Sequence, residues 1–227
     1  MSALRVKPIN WGRVDTVLLD MDGTLLDLHF DTYFWTQYLP LRYSEIHGTP
    51  LNEITPEIHR RLLEKQGTLD WYCTDYWSQQ FNLDIISAKK EIRHLIKERP
   101  QVLEFLNSLG TMGKKRILVT NADRPSLELK FSMTSIESSL DLVISSHDYA
   151  LPKERQQFWH HLQENISFDP SQTVFIDDSE SVLNAAKTYG IQMIFGIAMP
   201  NSRQPNPSAT QFPAIENFLH LLGPTNG

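Results

Sequence analysis

The chain has 227 residues, 41% hydrophobic and 10% aromatic, with 21 lysines and arginines against 27 aspartates and glutamates for a formal net charge of −6. That length suits one large domain carrying a smaller insert, and the apolar content can fill a core, which excludes collagen-like or linker behaviour. The acidic balance argues against a nucleic-acid polymer or an anionic membrane as partner, while leaving room for a local cationic pocket that takes a small anion.

Residues 1–20 carry Arg5, Lys7, Arg13 and Asp15 with no apolar stretch of signal-peptide length, and no apolar run approaches the roughly 18 residues of a membrane span. A cytoplasmic protein without membrane contact is the expectation. The first β-branched and leucine-rich run, 16–19, reads as a buried parallel strand and leads into Asp20-Met21-Asp22-Gly23-Thr24-Leu25. Two carboxylates two residues apart at a strand end repel each other, and a divalent cation or a shared proton relieves that repulsion. Asp and Gly are also ordinary turn residues, so an acidic turn without chemistry fits this run equally well.

From 30 to 98 the strand pattern stops. Phe34, Tyr38 and Leu41, then Ile58 and Leu62, then Ile92, Leu95 and Ile96 recur at three- and four-residue spacing, which predicts a helical insert. Two segments of it are dense in aromatics, His29-Phe30-Asp31 with Tyr33-Phe34-Trp35, and Trp71-Tyr72-Cys73-Thr74-Asp75-Tyr76-Trp77. Trp71 and Asp75 are four apart and share a face if the segment is one helix. Cys73 is the sole cysteine, so no intrachain disulfide or multi-cysteine zinc cluster can form, a reducing compartment is expected, and the side chain reads as packing. Lys65, Lys89, Lys90 and Lys97 read as solvated helix charges, and the histidines lack metal-ligand spacing, with His29 beside the acidic motif the one to watch.

Pro100 marks the return to the sheet, with a helix at 101–109 closed by Gly110. Strand 116–119 runs into Thr120-Asn121, strand 142–144 is followed by Pro152-Lys153, and strand 173–176 runs into Asp177-Asp178-Ser179. Helices are expected at 154–165 and 179–189, the latter capped by Ser179 and stopped by Gly190, then a strand at 192–195, a loop at 199–210 with three prolines, and a last helix at 214–222. Alternating strand and helix predicts an α/β fold, a doubly wound parallel sheet of Rossmann-like type with helices on both faces. Taken singly, the threonine is a helix cap, the lysine a surface charge and the second acidic pair an N-cap. Together they put two acidic pairs, a hydroxyl and a cation along one sheet edge.

In that order the four segments Asp20-Met21-Asp22-Gly23-Thr24, Thr120-Asn121, Lys153 and Asp177-Asp178 resemble the motifs of the haloacid dehalogenase (HAD) superfamily of phosphatases, and the helical stretch sits where that family inserts a cap domain. The resemblance implies a HAD-like catalytic core at 1–29 and 99–227 with a helical cap at 30–98. It implies Asp20 as nucleophile forming an aspartyl-phosphate, Asp22 as general acid and base, and Thr120, Asn121 and Lys153 as the phosphate-binding groups, Thr120 and Lys153 also serving catalysis. It further implies Mg²⁺ held by Asp20, the backbone carbonyl of Asp22 and Asp178, with Asp177 auxiliary. Asp22 argues against a dehalogenase, Met21 and the lack of spans against a transport ATPase, and the solvated lysines against a phosphonate-cleaving member. The opening Leu-Leu-Asp-Met-Asp-Gly-Thr-Leu-Leu-Asp, the run Phe175-Ile176-Asp177-Asp178-Ser179-Glu180 and the aromatic segments are similar to the bacterial nucleotidases of this superfamily that prefer GMP and IMP. A purine nucleoside monophosphate is the implied substrate, with Trp71, Asp75 and His29 as candidate contacts; the aromatics serve equally as the core of a small cap. A phosphoglycolate or small sugar-phosphate phosphatase, and a non-catalytic binding protein on this fold, are the competing readings.

Overall fold

The computed structural model describes residues 9–204 and 210–223. Six strands, β1 (Thr16–Leu19), β2 (Lys115–Thr120), β3 (Leu142–Ser145), β4 (Thr173–Ile176), β5 (Met193–Ile197) and β6 (Ala214–Ile215), form one sheet in the order β3-β2-β1-β4-β5-β6, every pairing parallel. β1 lies in the middle, with Leu18 level with Ile117 of β2 and Phe175 of β4. All four of its residues are buried, as expected of a parallel strand covered on both faces.

Alternation along the strands divides the core in two. Val17 and Leu19 join Phe105, Leu106 and Leu109 of α7 (Val102–Thr111) and Leu127 of α8 (Arg124–Phe131). Leu18, between them, points to the other face and packs with Phe158, Trp159 and Leu162 of α9 (Gln156–Ile166) and Val182, Leu183 and Ala186 of α10 (Glu180–Tyr189).

Between β1 and β2 the chain makes α1 (His29–Tyr33), α2 (Leu39–His47), α3 (Leu51–Lys65), α4 (Leu69–Tyr72), α5 (Thr74–Phe81) and α6 (Ile85–Glu91), with no strand among them. Their inward side chains Phe30, Phe34, Ile58, Trp77 and Phe81 belong to the same apolar cluster as Val17 and Leu19, so these helices are continuous in packing with one face of the sheet. A π-helical turn at Phe34–Tyr38 joins α1 to α2. Pro40, at the second position of α2, has no N–H for the carbonyl four residues back and its ring crowds that carbonyl, which a widened turn relieves. No helix among the described residues is long and apolar enough to cross a membrane.

Three expectations fail for local reasons. α7 runs through Gly110 to Thr111; the absent side chain at Gly110 leaves room for the guanidinium of Arg116. No helix forms at 214–222: the open edge of β5 captures the chain as β6, with the N–H of Gly196 donating to Pro213 (2.9 Å) and that of Ala198 to Ile215 (3.0 Å), and only a 3₁₀ turn, Phe218–Leu222, follows. Ser179 precedes α10, but its side chain makes no capping bond. In the expected loop, Pro200 accepts from the N–H of Leu28 and Met199 from the guanidinium of Arg99, so the segment is strapped across both ends of the helical insert. Residues 205–209 of that loop lie outside the described residues.

Candidate active site

The C-terminal ends of β1, β2 and β4 converge, the place where open α/β sheets bind ligands. Asp20 leaves β1 with its N–H bonded to Ile176 of β4 (3.0 Å). Three residues on, Gly23 turns the chain with φ of +83°, and any side chain there would collide with the carboxylate of Asp178. This close approach, as much as the turn, calls for glycine.

At the end of β2, Thr120 is buried and its Oγ accepts from the N–H of Ala122 (3.1 Å), which leaves the hydroxyl hydrogen free to donate. The Asn121 side chain is occupied: its Oδ1 accepts from the N–H of Lys153 (3.0 Å) and its Nδ2 donates to Glu154 (3.1 Å). It holds Lys153 in place instead of pointing a free amide at a phosphate. The Nζ of Lys153, buried, donates to Asp20 (2.7 Å), Asp177 (2.7 Å) and the carbonyl of Val119 (3.0 Å), a partner for each of its three hydrogens.

Asp177 accepts from Lys153 through one oxygen and from the N–H of Ser179 (2.8 Å) through the other. The Asp178 carboxylate receives no hydrogen bond from the described residues. Burial pushes the carboxyl of Asp20 up to about 6, with Lys153 pulling it down and Asp177 pushing it further up. Asp178 is raised well above the usual carboxylate range, by burial first and then by the charges of Asp20 and Asp177. One oxygen from each of Asp20, Asp177 and Asp178 lies within 4.8 Å of the others, a hard oxygen donor set compatible with a divalent cation.

A cavity of about 680 Å³ opens above these groups, within the usual range for small-molecule sites. Its polar floor holds Asp20, Asp22, Asp177, Asp178, Thr120 and Lys153; its far wall is Trp35, Leu62, Leu63, Trp71 and Tyr72 from the helical insert, with His59 and Gln66. The π-helical turn supplies Trp35 to that wall.

Of the expected substrate contacts, only Trp71 lines the cavity. Asp75 is exposed and outside it, because the chain leaves helical geometry at Cys73, between α4 and α5, and the four-residue spacing no longer shares a face. Cys73 itself caps α5, its Sγ accepting from the N–H of Tyr76 (3.4 Å). His29 packs on Tyr33 and its backbone is tied to Asp27, away from the cavity. Trp77 is core, stacked on Phe81 at 5.4 Å with its indole N–H on the carbonyl of Trp71.

Three charged cavity residues escaped the sequence reading. Lys130 of α8, 2% exposed, lies 2.6 Å from Asp22 and 2.7 Å from Asp31. Lys89 of α6 is not solvated; it is 4% exposed, pairs with Asp31 at 3.0 Å and faces the rings of Phe30, Phe34 and Trp35. Its spacing carried the signal, since Lys89 lies four residues after Ile85 and three before Ile92, on the buried face. Burial pushes Asp22 up to about 6 against the pull of Lys130, with Asp31 and Asp20 adding to the rise. Burial also opposes the charge of Asp31, but Lys130 and Lys89 outweigh it and hold that carboxyl well below the usual range.

Comparison with known proteins agrees with this geometry. The family profile of the haloacid dehalogenase-like hydrolases matches residues 17–195. The chain is 39% identical over 214 residues to the GMP/IMP nucleotidase YrfG of Escherichia coli K12, covering 94% of this chain and 96% of that one. It is 25% identical over 194 residues to a phosphorylated carbohydrates phosphatase of Thermotoga maritima, covering 81% and 85% respectively. Among solved structures, the HAD phosphatase from Thermococcus onnurineus superposes with a TM-score of 0.74 at 22% identity over 92% of this chain and 98% of that one, a likeness of fold. With motif order, sheet topology and overall similarity in agreement, the chain belongs to the haloacid dehalogenase-like hydrolases and is an enzyme of their phosphatase group.

Proposed function

We propose that the protein is a Mg²⁺-dependent phosphomonoesterase that works through an aspartyl-phosphate and takes purine 5′-nucleotides, GMP and IMP foremost. The observation that carries this reading is one cavity with a carboxylate and lysine floor and an aromatic wall more than a phosphate group can fill. The nucleotidase relative, similar along nearly the whole chain, supports the purine.

In this reading an oxygen of Asp20 attacks phosphorus and the bond to the ester oxygen breaks. Asp22, whose carboxyl burial raises to about 6 and so within reach of a proton, gives that proton to the departing alkoxide, then takes one from the water that attacks the aspartyl-phosphate. The hydroxyl of Thr120 and the Nζ of Lys153 hold phosphoryl oxygens as charge moves off phosphorus. Lys153 exchanges one carboxylate partner for the substrate, while Asn121 keeps its backbone fixed. Asp178, together with the oxygen of Asp20 that Lys153 does not hold, would ligate the cation, and Asp177, engaged through both oxygens by Lys153 and Ser179, supports them. When bound, the divalent cation supplies the positive charge that lets a carboxylate approach a phosphate dianion. We assign residues 30–98 the part of a cap over a core formed by 1–29 and 99–227, shielding the site from bulk water, with Trp71 and Trp35 as the rings that stack on a base.

The test is phosphate release from a panel of esters with and without Mg²⁺. GMP and IMP ahead of glycolate and sugar phosphates, and only with the metal, is the expected result. The reverse ranking would favour the carbohydrate phosphatase reading that the Thermotoga relative supports, and release from none of them a binding protein.

A further inference from the structure

Asp22 stands on the turn after β1, and the described residues give its carboxylate a single charged partner: the Nζ of Lys130 at 2.6 Å from Oδ1. Lys130 is itself immobilised. It is 2% exposed, its second partner is Oδ2 of Asp31 at 2.7 Å, and it lies 5.8 Å from the ring centre of Phe30. Asp31 is held in turn by Lys89 at 3.0 Å. A row therefore runs Asp22, Lys130, Asp31, Lys89, its lysines buried and its carboxylates partly so, from the turn after β1 through α8 to α1 and α6.

Stability alone does not call for this row. Buried ion pairs recover their desolvation only in part, and apolar side chains of similar volume often serve folding as well or better. What a methionine at 130 could not do is fix one oxygen of Asp22 so that the other faces a single way.

We propose that Lys130 is a positioning residue for Asp22, anchored by Asp31, and that the row ties the placement of Asp22 to the seating of the helical insert. This rests on the acid role given to Asp22 above. Positioning matters because a proton donor works only within hydrogen-bond reach of the atom it serves, and small misplacements are costly.

The experiment compares Lys130→Met with the wild type on two esters, a nucleotide whose alkoxide leaving group needs a proton and an activated aryl phosphate whose leaving group needs little. General acid catalysis is worth roughly 10²- to 10⁴-fold. Lys130→Met is expected to lower kcat on the nucleotide by about 30-fold or more, to lower it on the aryl ester by no more than about 3-fold, and to leave both KM values within about twofold. In an Asp22→Asn background the same substitution should add almost nothing, because the residue acts through a group already disabled. Asp31→Asn, which loosens Lys130 without touching Asp22, should show a weaker form of the same selectivity and stands in if Lys130→Met fails to fold, as judged by circular dichroism. Equal losses on both esters, losses that add fully to those of Asp22→Asn, or no loss at all would overturn the proposal. A wrong substrate assignment is distinguishable, since it reorders the wild type's preferences yet leaves the two-ester ratio readable on whichever alkyl phosphate is cleaved. A wild type inert to every ester overturns both readings.

Discussion

Asp123 joins the two parts of the molecule that must stay together for the site to exist. It follows β2, caps α8 by accepting from the N–H of Ser126 (3.1 Å) through Oδ1, and through Oδ2 accepts both the N–H (2.6 Å) and the hydroxyl (2.5 Å) of Thr74, the first residue of α5. Asp123 is 5% exposed and Thr74 1%. In Asp123→Asn one oxygen is replaced by an NH₂ donor. Whichever way the amide turns, one buried backbone N–H, of Thr74 or of Ser126, faces another donor. An unsatisfied buried donor costs about 1 to 3 kcal/mol, and the bonds lost are charge-assisted, so about 2 to 3 kcal/mol is expected. At this chain length that is a fall of roughly 4 to 12 °C in Tm, measured by circular dichroism. The pH dependence checks the cause. Burial pushes the Asp123 carboxyl up, but its bonds to Thr74 and Ser126 outweigh burial and hold it below the usual range. Its stabilising effect is therefore fully present above the unfolded value near ~3.9 and is lost as pH falls through the lower folded value. The gap between wild type and variant should be constant from neutral pH down to about 5 and close only below about 4. A gap under about 0.5 kcal/mol at neutral pH, or one that closes well above pH 4, would refute the reasoning.

Two further outcomes concern the catalytic groups and the cavity wall. Asp20→Asn should abolish phosphate release, because an amide is a poor nucleophile, while Tm holds or rises, because one of several crowded buried carboxylates has gone; residual turnover near the wild-type rate would remove Asp20 from the chemistry. Trp71→Ala should lower kcat/KM for GMP about tenfold or more relative to a small ester, since stacking on an aromatic face is worth roughly 1 to 3 kcal/mol. Asp75→Ala, at an exposed position, should change neither, and a selective loss with GMP would return Asp75 to the site.

What could be read in advance depended on how local its cause is. β1 and β4 match the expected 16–19 and 173–176, since a central parallel strand is buried on both faces and writes itself as an unbroken apolar run. β6 was invisible because two residues become a strand only when a partner edge exists, here that of β5. The motif residues Asp20, Thr120, Lys153 and Asp177 meet because each ends or follows a strand, a feature legible from order alone. Lys130 and Asp31 are 99 residues apart and meet through the docking of α1 on α8, which no periodicity reports. Asp75 failed for the opposite reason. Four-residue spacing implies a shared face only inside one helix, and the break at Cys73 lies between Trp71 and Asp75.

The charges around the cavity bear on the cofactor in a way that can be tested without turnover. Five carboxylates, Asp20, Asp22, Asp31, Asp177 and Asp178, face three ammonium groups, Lys89, Lys130 and Lys153, and the excess of two negative charges matches one divalent cation. The lysines sit on the first four. Asp178 is left, with its carboxyl driven upward by burial and by Asp20 and Asp177. Without divalent cation Asp178→Asn should therefore melt at the same temperature as the wild type or higher, because it relieves repulsion and breaks no ion pair among the described residues. Saturating Mg²⁺ reverses the order. A ligand at a hundred times its Kd stabilises the folded state by about 2.7 kcal/mol, or roughly 5 to 10 °C at this size, and the variant should show less than half of that rise. A wild-type Tm indifferent to Mg²⁺ would remove the metal from the site. An equal rise in both proteins would put the cation somewhere other than against Asp178, and the open ligands would then have to be sought among the carboxylates that the lysines now hold.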